Sequence, residues 1–385
     1  MAIPNRHVGS PGNRAATDYF ADTIAAFGFD VEQPAFDCID WEHGDVSLQA
    51  GGEPFAAQVS PYSLACRVTA PLAEASTLAA LESAEVAGKI LLISGDLARE
   101  QLIPKSFPFY IPVTYPGLAE LLEQKQPAAI VAATAQNPEL AGAWYPFPLI
   151  EDGDFNIPSV FMTDVEGARL SRYRDTDISL SFESRRIPAR GCNVIARKGA
   201  DLSARRVFCA HIDTKKGTPG ALDNATGVAT LLALAELLAD YAGDRAVEIV
   251  AFNGEDYYAA SGQVQYIGQN RDRFNTIHLA VNMDLAGDAG SDTVYSLYGC
   301  SEAMTAELHQ LFAARHGLAE GIAWYQSDHS VFIQNGVPAV ALTSADFMAL
   351  STTVTHTEKD TLALVDARKL AVIARALKDV ALALS

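Results

Sequence analysis

The segment VFCAHID at residues 207–213 decides the fold of this chain of 385 residues. Residues 207–210 are apolar and have no polar face, which predicts a strand buried between two layers of helices. The strand ends in His211 and Asp213, whose side chains share one face because they are two residues apart. Neutral imidazole is a good zinc ligand, and a carboxylate bound to its other nitrogen fixes its orientation. The segment therefore predicts a buried strand with metal-binding side chains at its carboxyl end.

Strands and helices alternate along the sequence from residue 193 onward. The apolar runs predict strands at 193–196, 207–212, 247–252, 278–283, 293–298 and 338–342, and helices at 225–241 and from Asp366 to the end. A further helix is predicted at 13–27, before this region. Alternation of this kind is typical of α/β architectures, whose ligands bind at the carboxyl ends of the strands. We predict an α/β fold with a mixed central sheet flanked by helices.

The segment 41–185 has a different texture, with many prolines and short alternating stretches. Strands are predicted at 88–94, 128–133 and 157–162, and helices at 117–124 and 164–170. No cluster of His or Cys follows Cys66 in this segment, so we do not expect it to carry the chemistry. The interpretation is a smaller, β-rich domain at 41–185, inserted into a main domain formed by 1–40 and 186–385.

Composition excludes several classes of partner. The formal net charge is −19, which argues against binding to nucleic acid or to an anionic membrane. No stretch approaches the roughly 18 consecutive apolar residues that a membrane-spanning helix needs. The first residues lack the apolar core of a signal peptide. We therefore expect a cytoplasmic protein if Met1 is the native start, and a secreted or periplasmic one if the chain has been shortened.

The cysteines predict no disulfide framework. There are five, an odd number, and none forms a CxxC pair: they are Cys38, Cys66, Cys192, Cys209 and Cys300. Scattered cysteines of this kind are typical of thiols, most of them buried.

Acidic and histidine residues follow the other core strands as well. Glu255-Asp256 comes after the predicted strand 247–252, Asp284 after 278–283, and His356 lies in a loop before the last helix. Each has a structural alternative, because an acidic residue can cap the helix or turn that follows it. Adjacent carboxylates are nevertheless costly to ionise together without a nearby cation. Their shared position at strand ends favours a metal centre.

The order of these motifs resembles the co-catalytic dizinc aminopeptidases, which are relatives of the bacterial leucyl aminopeptidases and of glutamate carboxypeptidase II. The resemblance is carried by His-x-Asp, Asp-Asn, the acidic pair, Asp284 and His-Thr-x-x-Asp-Thr at 356–361. It is supported by RHVGSPGN at 6–13, GALDNATG at 220–227, SDH at 327–329 and NGVPA at 335–339. The segment 41–185 resembles the protease-associated insert of some of these enzymes.

The resemblance implies a set of ligands for two zinc ions. His211 and Asp284 would hold one ion, Asp256 and His356 would hold the other, and Asp223 would bridge them. The chemistry requires such a set, because two ions a few ångströms apart need a bridging carboxylate and lower the pKa of a shared water. The family also carries a cis peptide after its bridging aspartate, so we expect one at Asp223-Asn224.

Three catalytic roles are implied by the same resemblance. Glu255 would be the general base that takes a proton from the metal-bridged water and passes it to the leaving amine. Asp213 would orient His211, and Tyr325 would donate a hydrogen bond to the tetrahedral oxyanion. Tyr325 lies one residue nearer to SDH than in the family pattern.

The acidic pair departs from the family, which has Glu-Glu where this chain has Glu255-Asp256. The aspartate side chain is shorter by one carbon–carbon bond, roughly 1.5 Å. The backbone must therefore lie closer to the second ion, or that ion binds more weakly. Asp328-His329 is interpreted as a structural support rather than a ligand.

Our first interpretation is a zinc exopeptidase that removes amino-terminal residues from short peptides or hydrolyses related amides. A carboxypeptidase would need a cationic clamp for the terminal carboxylate, for which Arg271 and Arg273 are the candidates. A dizinc deacylase of another peptidase family is a further alternative. A catalytically dead binding module of the same fold is the last. The sequence carries no signal for side-chain preference or oligomeric state.

Overall fold

The computed structural model describes residues 3–107, 113–134 and 148–384. The chain divides into two compact units, one formed by Met1–Cys38 with Arg190–Ser385 and the other by Ile39–Ala189. The division lies close to the boundaries predicted at residues 40 and 186. The protease-associated character of the second unit stays a prediction.

The elements follow in chain order. The strands are β1 (Asp30–Glu32), β2 (Ala35–His43), β3 (Ser47–Ala50), β4 (Glu53–Phe55), β5 (Gln58–Val59), β6 (Cys66–Ala75), β7 (Ile90–Ile93), β8 (Ala129–Thr134), β9 (Ser159–Thr163), β10 (Asp177–Phe182), β11 (Ser184–Cys192), β12 (Val194–Lys198), β13 (Asp201–His211), β14 (Arg245–Phe252), β15 (Ile277–Met283), β16 (Thr293–Tyr298), β17 (Leu318–Glu320) and β18 (Ala339–Ser344). The helices are α1 (Pro11–Ala26), α2 (Leu78–Ser83), α3 (Leu118–Lys125), α4 (Asp164–Leu170), α5 (Thr226–Leu237), α6 (Ser261–Asn270), α7 (Glu302–Ala313), α8 (His329–Ile333), α9 (Phe347–Thr353) and α10 (Ala367–Ala383). Short 3₁₀ turns lie at Gly95–Ala98, Ser171–Tyr173, Phe274–Thr276 and Leu362–Leu364, and an irregular turn at Ala221–Ala225.

The first unit is built on an eight-stranded sheet with the order β1-β12-β14-β13-β15-β18-β16-β17. Strands β14, β13, β15 and β18 are parallel, and the antiparallel strands β12 and β16 flank them. Apolar residues of α1, α5 and α10 pack with the sheet in one core. Burial on both faces explains the continuous apolar run 207–210. The predicted α/β fold with a mixed central sheet is confirmed.

Parallel pairing brings the carboxyl ends of the central strands to one edge. His211, the last residue of β13, pairs with Phe252, the last residue of β14. On its other side β13 pairs with β15, where Cys209 lies opposite Asn282. The residues that follow these strands must therefore emerge side by side, as ligand-binding residues do in open α/β sheets.

Helix ends follow the capping residues of the sequence. Ser10 caps α1 by accepting a hydrogen bond from the backbone N–H of Asn13, and Asp366 caps α10 through Arg368 N. The helix predicted from Asp366 thus begins where expected. No helix in the described ranges is both long enough and apolar enough to cross a membrane.

The second unit contains its own eight-stranded sheet, ordered β4-β3-β10-β6-β7-β8-β9-β5. The pairs β6-β7, β7-β8 and β8-β9 are parallel. The pairs β4-β3, β3-β10, β10-β6 and β9-β5 are antiparallel. Parallel pairing requires crossover connections, which here contain the helices α2 and α3. The unit is accordingly a mixed α/β unit rather than a purely β-rich one.

Candidate metal centre

The carboxylate of Asp223 lies between two imidazoles at the carboxyl edge of the first unit's sheet. Its Oδ1 is 3.1 Å from Nε2 of His211, and its Oδ2 is 3.1 Å from Nε2 of His356. One carboxylate therefore presents a different oxygen to each imidazole. This is the arrangement that a bridging metal ligand requires.

Each of the two imidazoles also lies next to a second carboxylate. Asp284 Oδ1 is 3.5 Å from Nε2 of His211, and Asp256 Oδ1 is 2.9 Å from Nε2 of His356. The structure thus brings together the five side chains predicted as ligands. They form two groups, His211 with Asp284 and His356 with Asp256, which share Asp223.

Strand ends position most of this set. His211 ends β13, Asp284 directly follows β15, and Asp256 lies in the turn after β14. Asp223 is in the irregular turn before α5, and the peptide between it and Asn224 is cis, as the resemblance implied. His356 comes from the loop after α9 and has a φ of +58°, a left-handed conformation that non-glycine residues seldom adopt.

Asp360 and Asn224 hold the main chain around Asp223 in place. The Asp360 carboxylate accepts hydrogen bonds from the backbone N–H groups of Leu222 at 2.7 Å and Asp223 at 3.0 Å. Asn224 accepts from the Gly227 N–H at 3.0 Å and donates to the carbonyl of Met283, beside Asp284. The sequence analysis gave neither residue a role, although both lie inside the motifs that it quoted.

Gly227 has no room for a side chain. A Cβ there would lie 2.5 Å from Oδ1 of Asn224 and 2.8 Å from Cβ of Ala210. The start of α5 can therefore approach the end of β13 only with glycine at this position.

Asp213 accepts hydrogen bonds from the turn that carries Glu255 and Asp256. Its carboxylate accepts hydrogen bonds from the backbone N–H groups of Gly254 at 2.8 Å, Glu255 at 3.3 Å and Asp256 at 3.0 Å. The ring Nδ1 of His211 contacts the Asp213 carbonyl oxygen at 3.2 Å and lies 3.7 Å from the carboxylate. The His211 ring therefore lies closer to the carbonyl oxygen of Asp213 than to the Asp213 carboxylate. That carboxylate accepts hydrogen bonds from the turn at residues 254–256 instead.

Ser327 supports the candidate ligand Asp284. Its hydroxyl donates to Asp284 Oδ2 at 2.7 Å and accepts from Asn282 Nδ2 at 2.9 Å. Sequence reasoning quoted Ser327 within SDH but assigned it no contact. Only the fold places β15 and the 327–329 segment side by side.

His329 is a buried support, as predicted. Its Nε2 contacts the carbonyl of Trp324 at 2.8 Å, and its Nδ1 lies 3.4 Å from Nδ2 of Asn282. Burial lowers its pKa to about 4, so the ring is neutral near pH 7. The neighbouring Asp328 is also buried, and burial raises its pKa to about 7.

Negative charge accumulates at this edge of the sheet. Besides Asp213, the three candidate ligand aspartates and Asp360, the half-buried Glu255 lies here, and burial raises the pKa of its carboxyl well above the usual range. Burial alone would lower the pKa of His211 and His356, but the surrounding carboxylates raise both well above their usual values. Buried carboxylates are stable when they are paired or when they coordinate metal ions.

The donor atoms fit metal ions. One donor atom each from His211, Asp223 and Asp256 lies within 4.8 Å of the other two. The buried Oδ2 of Asp256 and Oδ1 of Asp284 accept no well-formed hydrogen bond from the described residues. Such oxygens are costly to bury without a partner, and a divalent cation would provide one. Imidazole and carboxylate together are the ligand types of zinc sites.

Tyr325 is exposed, and the two candidate arginines lie away from this edge of the sheet. Tyr325 is 61% exposed, and its ring contacts that of Tyr298 with centroids 5.3 Å apart. The carbonyl of Arg273 accepts a hydrogen bond from Arg205, which pairs with Ile277 at the start of β15. Arg271 and Arg273 are exposed at the end of the sheet opposite to His211 and Asp284, so they do not form a clamp there.

Residues 193–381 match the family model for peptidase family M28. The chain is 28% identical over 295 residues to a probable lipoprotein aminopeptidase of Mycobacterium tuberculosis, an alignment covering 73% of this chain. It is 24% identical over 362 residues to a probable leucine aminopeptidase 2 of Aspergillus fumigatus, covering 88% of this chain. The chain spans 54% of the mycobacterial relative and 68% of the fungal one.

Two solved structures share the fold. An aminopeptidase from Aneurinibacillus sp. strain AM-1 superposes with a TM-score of 0.78 at 21% identity, covering 99% of this chain and 90% of that one. A zinc aminopeptidase from Bacillus subtilis gives 0.74 at 20% identity, covering 98% and 91%. These structures show the shared fold, and the match over residues 193–381 bears out for that region the resemblance noted from the motifs: residues 193–381 are similar to peptidase family M28.

Proposed function

We propose that this protein is a zinc-dependent aminopeptidase, which removes the amino-terminal residue from short peptides. The observation that carries the proposal is the position of Asp223, whose two carboxylate oxygens face His211 and His356 separately. A single-metal hydrolase has no need of a carboxylate shared in this way. The names of the relatives and of the structural neighbours agree with the proposal.

Two zinc ions fit the donor set. His211 and Asp284 would hold one, His356 and Asp256 would hold the other, and Asp223 would bridge them. Zinc bound there supplies a Lewis acid and brings the pKa of water towards neutrality. Ser327 would keep the carboxylate of Asp284 in orientation, since outer hydrogen bonds of this kind fix metal ligands, and Asp360 would hold the main chain of Asp223.

Glu255 is the general base in this proposal. It follows Gly254 in the turn that Asp213 holds through three backbone amides, so its main chain is fixed, and the ligand set assigned above leaves its side chain available for proton transfer. Its carboxylate takes the proton from the attacking water and returns it to the leaving amine. Tyr325 stays a candidate oxyanion donor, because its segment also supplies Ser327 to the centre.

Charge favours an amino-terminal substrate end. The buried carboxylates around Asp223 make this edge of the sheet attractive to the ammonium group of a free amino terminus. A carboxypeptidase needs a cationic partner for a terminal carboxylate, and the candidates Arg271 and Arg273 lie at the opposite end of the sheet.

The proposal is tested by zinc content and by two matched peptides. The purified chain should contain about two zinc ions by elemental analysis. It should hydrolyse a peptide with a free amino terminus and leave its acetylated counterpart intact, and a chelator should stop the reaction. Release of residues from the carboxyl end of the acetylated peptide would indicate the carboxypeptidase alternative. Zinc binding without hydrolysis of either peptide would indicate a binding module.

A further inference from the structure

Lys215 reaches one half of the metal centre. It lies in the loop that follows Asp213, and its Nζ donates a hydrogen bond to the backbone carbonyl of Asp256 at 2.7 Å. The same nitrogen is 3.9 Å from Oδ1 of the Asp256 side chain. The ammonium group is thus fixed on the residue whose carboxylate faces His356.

The two half-sites differ in the group that supports their carboxylate. Asp284 receives its hydrogen bond from the neutral hydroxyl of Ser327, at 2.7 Å. Asp256 has a positive charge within 4 Å of Oδ1, the oxygen that faces His356 at 2.9 Å. A cation that binds to Asp256 must therefore approach a fixed ammonium, which a cation bound to Asp284 does not.

The exposure of the two imidazoles also differs between the half-sites. His211 ends a buried strand and its side chain has no exposed surface, whereas the His356 side chain is 14% exposed. His356 also has its left-handed φ in a loop between α9 and the last 3₁₀ turn. A left-handed φ also occurs at Leu285, next to Asp284, so the difference between the two half-sites lies in exposure and charge rather than in the backbone conformation.

We propose that Lys215 makes the two zinc affinities unequal, so that the half-site of His356 and Asp256 binds its ion last and releases it first. The physical reason is repulsion between the ammonium and a dication inside a site that is largely screened from water. The ammonium also compensates part of the Asp256 charge when that half-site holds no ion. The inference rests on the proposed two-zinc centre and goes beyond it by assigning a residue outside the ligand set.

The experiment is a zinc titration of the full chain after chelator treatment, followed by calorimetry. The wild type should show two binding steps of different affinity. Lys215→Met, which keeps much of the side-chain length and removes the charge, should tighten the weaker step by about tenfold or more and leave the tighter step unchanged. Lys215→Arg retains the charge and should behave as the wild type. Lys216→Met, at the next position, is the matched control for removing one lysine charge from this loop.

The possible outcomes separate this inference from the proposed function. If Lys215→Met binds two zinc ions and its weaker binding step is unchanged, the role proposed for Lys215 is overturned, while the two-zinc proposal stands. An equal effect of Lys216→Met would also overturn it, because the cause would then be the general charge of the loop. An unchanged titration with a raised KM for peptides would assign Lys215 to substrate binding instead. A wild-type chain that binds no zinc would overturn both proposals.

Discussion

The carboxylate of Asp360 accepts a hydrogen bond from the backbone N–H of Asp223 at 3.0 Å. Its second oxygen accepts from the preceding N–H, that of Leu222, at 2.7 Å. Both oxygens are therefore used to hold the main chain of the residue that faces both imidazoles. Asp360 has no exposed surface, and burial raises its pKa to about 6. The position of the candidate bridging ligand depends on a residue from a distant loop.

Asp360→Asn should destabilise the chain and weaken zinc binding. An amide has one oxygen, so its NH₂ group would face one of the two backbone donors. Leaving a buried N–H group unpaired costs about 1–3 kcal/mol. Chemical unfolding of the zinc-free protein and a zinc titration measure the two effects. Asp201→Asn, at the exposed start of β13, is the matched control and should leave stability nearly unchanged, because the amide oxygen can still accept the hydrogen bonds from Ser203. Equal behaviour of the two variants would contradict the positioning role of Asp360.

Glu255→Gln should retain both zinc ions and lose activity. The amide cannot take a proton, and positioned proton transfer contributes about 10²–10⁴-fold to the rate. The measurements are zinc per chain and the rate of peptide hydrolysis.

Asp256→Asn is the comparison at the next position. It should lose zinc from the half-site of His356, and excess zinc should restore part of the rate. If Glu255→Gln loses an ion while Asp256→Asn keeps both, the two roles are exchanged. If neither variant slows hydrolysis, the roles proposed for Glu255 and Asp256 in the reaction are wrong.

Ser327→Ala should lower the zinc affinity of the half-site of His211 and Asp284. The substitution removes the donor to Asp284 Oδ2 and the acceptor for Asn282. Loss of an outer hydrogen bond to a metal ligand typically costs about 10–100-fold in affinity. Ser330→Ala, in the next helical turn, should leave both binding steps unchanged. A zinc titration that cannot distinguish Ser327→Ala from the control would refute this support.

His329 should make stability fall in acid. Its pKa in the folded chain is about 4, below the ordinary value of about 6.5, because the ring is buried. Between these values the unfolded chain binds the proton and the folded chain does not, so stability decreases as the pH falls from about 6.5 to 4. The full shift corresponds to roughly 3 kcal/mol.

The control for this prediction is His329→Gln, which retains a donor for the Trp324 carbonyl and does not titrate in this range. Urea unfolding of the zinc-free wild type and variant at several pH values isolates the contribution of the imidazole. The difference in unfolding free energy between the two should change with pH between 4 and 6.5 and be constant above it. A difference that is independent of pH would show that His329 does not lose its charge on folding.

Periodicity and motif order were sufficient for the fold class and for most of the candidate ligands. The run 207–210 could be assigned to a central strand because only a strand covered on both faces is apolar at every position. Parallel strands end at one edge, so residues that follow different strands could be expected to meet there. The ligand assignment itself came from the resemblance. The structure places the five side chains together, and zinc titration will decide their roles.

Several partners could not be read from the sequence, because they depend on contacts between segments far apart in the chain. Asp360 belongs to the motif at 356–361, but the motif names no partner for it, and only the fold puts its two oxygens against the N–H groups of Leu222 and Asp223. The contact of His211 with the carbonyl of Asp213 likewise follows from the turn that engages the Asp213 carboxylate. The sequence alone determined where the buried strands lie, because strand burial is a local pattern, and hence which acidic and histidine residues follow them. Tertiary structure decided which donor meets which acceptor, because hydrogen bonds and charge pairs depend on distances of a few ångströms that no local pattern sets.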